Sequence, residues 1–137
     1  MTKNKKAVFL DTFFIQALLN RRDNFHAKAK ALFPQVQVIQ EVWTTEAVLM
    51  EVGNALASIN REGAAEFIKN CYTTPNLKVI SVDTSLLKRA VKLYETRTDK
   101  EWGLTDCISF VVMKDRRIAL VLSADVHFRQ AGFSTML

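Results

Sequence analysis

Three short apolar runs, at residues 7–10, 79–82 and 118–122, are separated by long stretches in which apolar residues recur at helical spacing. Runs this short are strand-length, and strands that alternate with helices must return to the same sheet through crossovers. The pattern therefore predicts an α/β domain with a mainly parallel central sheet. Such crossovers are right-handed, so helices cover both sheet faces. Between the runs, helices are expected over residues 12–20, with Phe13, Phe14, Ala17 and Leu18 apolar, and from a cap at Asn24 to a stop near Pro34. The valines of 36–43 suit a further strand. Thr45 opens a longer helix to about residue 59, followed by another over 62–71. Asp83, Thr84 and Ser85 offer caps for a helix reaching about residue 97. A polar break at 98–103 precedes a helix capped by Thr105 and running to about 114. The tail after Ser123 contains Gly132 and room for a last short strand.

The chain has 137 residues with no repeat, linker or low-complexity tract, and only four Gly and two Pro, so one domain spanning 1–137 is expected. No apolar run approaches the roughly 20 residues that span a bilayer, so no membrane association is expected. Lys3, Lys5 and Lys6 are followed by too short an apolar stretch for a secretion signal. Cys71 and Cys107 form no CxxC pair and suit reduced thiols in a cytoplasmic protein. The net charge of +5 favours a polyanionic partner, though only weakly by itself.

Acidic residues stand at the ends of these elements. Asp11 directly follows the first run and Asp125 lies just beyond the last, so in a parallel sheet both fall on one edge, where ligands of such folds bind. Asp106 opens a helix whose preceding loop can reach that edge. Glu51 flanks the apolar stripe Val48, Val52, Leu56, Ile59, beside Asn54 and Ser58. Carboxylates gathered in one pocket raise one another's pKa and need a neutralising cation. Oxygen ligands select Mg²⁺ or Mn²⁺ over zinc, and His26 and His127 lack zinc-site spacing.

Each residue also has a plainer role. Asp11 and Asp106 can serve as helix-terminus groups, Asp125 can shape a turn, and Glu51 can be a solvated helix residue. His127 reads as structural and Trp102 as a loop anchor rather than a base-stacking platform. Lys114, Arg116 and Arg117 can complement a helix C-terminus, and Arg21 and Arg22 can sit in a solvated turn.

FLDT at 9–12, VLMEVGNAL at 48–56, LTDCISFVVM at 104–113 and SADVHFRQAGF at 123–133 occur in this order. Together they resemble the PIN-domain nucleases over essentially the whole chain, and among them the VapC-type toxins of toxin–antitoxin modules. The family's four acids fall on Asp11, Glu51, Asp106 and Asp125; Ser123 stands where the family often has Thr, which keeps the hydroxyl. The resemblance implies a PIN-like α/β/α sandwich, Mg²⁺-dependent cleavage of RNA (with Mn²⁺ able to substitute), a homodimer and a cognate antitoxin. An inactive PIN-type module that binds RNA or protein is the alternative. No G-x-G-x-x-G or P-loop follows a strand, which argues against a dehydrogenase or a phosphotransfer enzyme.

Overall fold

The computed structural model describes residues 2–137; Met1, the first position of the expected domain, lies outside the described residues. Strands β1 (Ala7–Leu10), β2 (Glu41–Thr45), β3 (Leu77–Ile80), β4 (Leu120–Leu122) and β5 (Ser134–Thr135) form one sheet in the order β3-β2-β1-β4-β5. Every neighbouring pair is parallel, so the expected mainly parallel sheet is parallel throughout. The helices are α1 (Thr12–Leu19), α2 (His26–Gln37), α3 (Glu46–Ala55), α4 (Arg61–Cys71), α5 (Thr84–Thr96), α6 (Leu104–Asp115) and α7 (Val126–Gln130).

All four residues of β1 are buried. A central parallel strand is covered on both faces, which is why this run is continuously apolar rather than alternating. The chain leaves β1 towards β2 and β3, then returns to place β4 on the other side of β1. Parallel crossovers keep one hand, so the outgoing and returning connections cover opposite faces. The reversal leaves a crevice at the carboxyl ends of β1 and β4, the place where open α/β sheets bind ligands. Packing fixes the elements around it. Phe110 of α6 meets Trp102, Phe128 of α7 and Phe133 at ring-centroid distances of 4.9, 5.2 and 5.7 Å.

Several boundaries differ from the sequence expectation. Helix α2 continues through Pro34 for three residues, and Asp23, rather than Asn24, steers its entry by accepting from the Phe25 amide at 2.8 Å. A proline removes one helical hydrogen bond and strains the turn before it; here the helix still buries Ala29 ahead of the proline and Val36 after it. Val36 and Gln37 are consequently helical, and the expected strand at 36–43 is displaced to Glu41–Thr45. Helix α3 is opened as expected by Thr45, which caps it by accepting from the Val48 amide at 3.2 Å, but it ends at Ala55 rather than near residue 59.

The next helix explains that early stop. Asn60 leaves the turn, donates to the Leu19 carbonyl at 2.9 Å and accepts from the Gly63 amide at 3.0 Å to cap α4. A Cβ at Gly63 would lie 2.5 Å from the Asn60 amide nitrogen, so this cap requires glycine. The strand expected at 79–82 is Leu77–Ile80, because its partner β2 ends at Thr45 opposite Ile80. Ile118 is buried without strand pairing: its amide closes the end of α6 on the Met113 carbonyl at 2.8 Å. Gly103, not Thr105, caps α6. Helix α7 was not foreseen; its five residues carry too little periodicity to be read.

Candidate active site

The carboxyl ends of β1 and β4 are joined by one hydroxyl. Asp11 caps α1, and its Oδ2 accepts from the Phe13 amide at 3.4 Å and from Ser123 Oγ at 2.9 Å. Ser123 Oγ in turn accepts from the Asp125 amide at 3.0 Å. Asp125 caps α7 by accepting from the His127 amide at 3.0 Å. Asp106 approaches from α6, where its Oδ2 accepts from the Gly103 amide at 3.1 Å and from His127 Nδ1 at 3.0 Å. The same Nδ1 lies 3.4 Å from Asp125 Oδ1. Ligand atoms of Asp106, Asp125 and His127 all fall within 4.8 Å of one another.

Burial grades the acids. Asp11 is 5% exposed, whereas the side chains of Asp106 and Asp125 are 18% and 30% exposed and can be reached from solvent. Burial pushes the Asp11 carboxyl up to about 7, against the opposing hydrogen bonds from Ser123 and Phe13, and the Asp106 charge adds to the rise. Asp106 is also raised, first by burial and then by Asp125, with the Gly103 amide and His127 opposing. Among the described residues, the ion pairs that involve Lys or Arg lie elsewhere, at Arg89–Asp115, Arg97–Asp99 and Lys100–Asp99. The cluster is thus rich in carboxylates, with His127 but no Lys or Arg paired against it. Carboxylate oxygens with at most one imidazole nitrogen are a donor set that fits Mg²⁺ or Mn²⁺.

Of the four acids read from the sequence, Asp106 and Asp125 meet directly with His127, and Asp11 stands behind them, linked through Ser123 to the Asp125 amide. Glu51 does not join them: it is exposed on α3 and lies outside the group formed by Asp106, Asp125 and His127. The stripe that placed it holds at Val48, Val52 and Leu56, while Ile59 is 56% exposed because the helix has already ended. His127, read as structural, stands between two of the acids instead. Its only sequence signal was a position two residues after Asp125.

Trp102 is 6% exposed, donates to Gln130 Oε1 at 3.0 Å and is covered by the Arg97 guanidinium at 4.7 Å. It therefore anchors the loop before α6 and presents no stacking face. Lys114, Arg116 and Arg117 lie at the C-terminal end of α6, ahead of β4, and so at the sheet edge opposite the acids. Arg116 stacks on Trp43 at 4.7 Å, and Arg117 occupies the left-handed region at φ 58°. Arg21 and Arg22 are exposed after α1.

The chain matches the PIN domain family over residues 8–134. It is 29% identical over 126 residues to the 23S rRNA-specific endonuclease VapC20 of Mycobacterium tuberculosis, a match covering 92% of this chain and 95% of that protein. The crystal structure of VapC20, a sarcin–ricin loop cleaving toxin, superposes with a TM-score of 0.82 at 28% identity, again over 92% and 95% of the two chains. FitAcB from Neisseria gonorrhoeae superposes with a TM-score of 0.67 at 15% identity, over 95% of this chain and 96% of that chain. VapBC-1 from nontypeable Haemophilus influenzae does so with a TM-score of 0.62 at 16% identity, also over 95% and 96%. These two likenesses concern the fold.

Proposed function

The chain belongs to the PIN-domain family, and from that premise we propose that residues 1–137 act as one PIN-like domain, a metal-dependent endoribonuclease that hydrolyses RNA phosphodiester bonds. The observation that carries this reading is the pairing of Asp106 with Asp125 where the sheet reverses, with the buried Asp11 tied in through Ser123 and no Lys or Arg ion pair on any of the three. Asp106 and Asp125, with Asp11 behind them, would hold the cation, Mg²⁺ with Mn²⁺ able to substitute. A divalent ion bound there lowers the pKa of a water and stabilises charge on the leaving oxygen of a phosphodiester.

The protein's own contribution is to keep three like charges together. Ser123 fixes Asp11 against the Asp125 amide, and the helix-terminus amides hold one oxygen of each acid. The net charge of +5 retains the RNA electrostatically. Glu51 is the fourth acid of this reading. Its helix starts from the neighbouring strand end at Thr45, and its side chain is exposed to solvent.

VapC20 supplies the first RNA to try, the sarcin–ricin loop of 23S rRNA. Purified protein should cut RNA with Mg²⁺ or Mn²⁺, seen as new ends in primer extension, and should stop in excess EDTA. Full activity in EDTA, or activity restored by zinc alone, overturns the metal mechanism. Mg²⁺ binding without cleavage of any RNA favours the alternative, a catalytically inactive RNA- or protein-binding module. A Glu51→Gln variant that cleaves at the wild-type rate removes Glu51 from the site.

The similarity to a toxin also supports a cognate antitoxin, a homodimer and a cytoplasmic location. Among the described residues, no helix is long and apolar enough to cross a membrane. Expression alone should slow growth, and co-expression of a small neighbouring gene product should relieve it. Sedimentation should give twice the chain mass, and fractionation should recover the protein with the cytoplasm. Unimpaired growth, a monomer or a membrane-bound fraction each removes the corresponding assignment.

A further inference from the structure

Asp106 and Asp125 belong to different helices, and one residue touches both. The His127 ring reaches Asp106 Oδ2 at 3.0 Å, and its backbone amide reaches Asp125 Oδ1 at 3.0 Å. An ionised carboxylate only accepts, so the bonded Nδ1 carries the proton and donates. Asp106 Oδ2 then accepts twice, from His127 and from the Gly103 amide at 3.1 Å. Among the described residues, the side-chain contacts of Asp106 fall on Oδ2 and those of Asp125 on Oδ1, which leaves the second oxygen of each for an incoming ion.

The ring is held in place from behind. Phe128, the next residue, is fully buried and packs edge-on against Phe110 of α6 at 5.2 Å. That contact locks the five-residue α7 onto the same helix that carries Asp106, where so short a helix has little stability of its own.

The geometry points to His127 as a positioning residue that selects which carboxylate oxygens of Asp106 and Asp125 face the cation, an inference that rests on the metal-dependent reading above. It acts through the acids: its Nδ1 is engaged with Asp106 Oδ2 and so is not offered to the cation, and nitrogen coupling to bound Mn²⁺ tests Nε2. Hydrogen-bond partners that orient metal ligands typically change affinity by about 10–100-fold when removed.

The test uses the full chain, free of RNA, with Mn²⁺ as the probe and electron paramagnetic resonance to count free and bound ion. The His127→Ala variant should bind Mn²⁺ about 10–100-fold more weakly than wild type. The His127→Asn variant, whose side-chain amide can donate from a similar position, should recover most of the loss. The spin-echo spectrum of wild-type protein with Mn²⁺ should show no directly coordinated nitrogen. Wild-type affinity in His127→Ala, or His127→Asn no better than His127→Ala, overturns the inference alone. A nitrogen bound to Mn²⁺ overturns it in favour of His127 as a ligand. Wild-type protein that binds no Mn²⁺ overturns the metal-dependent reading and this inference with it. Should His127→Ala fail to fold, His127→Asn against wild type and the nitrogen coupling still decide.

Discussion

Asp106→Asn protein stripped of metal should melt at or above the wild-type temperature while losing RNA cleavage on the order of 10³-fold, beyond the range of an outer-shell group. Most substitutions destabilise, so the expected sign is itself diagnostic. Asp106 is pushed up first by burial and then by Asp125, which means its charge is costly in the folded protein. Asparagine keeps an oxygen that can accept from the Gly103 amide and from His127, and it removes the charge. Mg²⁺ binds the folded wild type and hardly the unfolded chain, so at a hundredfold excess over its Kd it stabilises by about 2.7 kcal/mol. The variant should lose most of that response.

Thermal melts of both proteins, in EDTA and in Mg²⁺, read all of this. The opposite pattern has an equally definite meaning. Asp106 sits in the first turn of α6 and reaches back to the Gly103 amide, so a purely capping role predicts a destabilised variant. A destabilised Asp106→Asn that keeps the full Mg²⁺ response removes Asp106 from the metal site.

Why some of this site could be read from the sequence, and some could not, follows from the range of the interactions involved. Asp11 ends a run whose four residues are buried on both sides, and burial of β1 is a local consequence of composition. Asp125 lies beyond a similar run, so the shared edge of the two acids needed only the parallel-sheet rule. Their bridge through Ser123 spans 112 residues of sequence and depends on β4 settling next to β1, which no local pattern specifies. The same holds for His127, whose hold on Asp106 requires α7 to dock on α6. Pro34 misled because the helix runs on for three residues beyond it, and Val36 in that extension is buried by contacts that lie elsewhere in the chain. Glu51 was placed by a stripe that stops short, since Asn60 ends the turn to cap α4.

The pH dependence of the metal-free protein should be dominated by Asp11. Its carboxyl is carried from an ordinary 3.8 to about 7, chiefly by burial, with Ser123 and Phe13 opposing and the Asp106 charge assisting. The folded state therefore holds this proton more tightly than the unfolded chain does. Its contribution to stability is fully present below about pH 4 and is lost as pH rises through about 7, the reverse of a salt-bridged carboxylate. The difference corresponds to roughly 4 kcal/mol across the whole window. Urea unfolding in EDTA should thus show wild type losing stability from about pH 4 to about pH 7 and levelling off above that. Asp11→Asn, which cannot ionise, should show a flatter profile, with its advantage over wild type growing up to about pH 7 and constant above it. A cation at the site replaces the proton, so Mn²⁺ should bind more weakly as pH falls below about 7 and release close to one proton on binding at pH 6. Calorimetry in buffers of different ionisation enthalpy counts that proton. A wild-type profile as flat as that of Asp11→Asn, together with Mn²⁺ binding that releases no proton, would mean that Asp11 is ionised throughout and that water or another donor reaches its buried carboxylate.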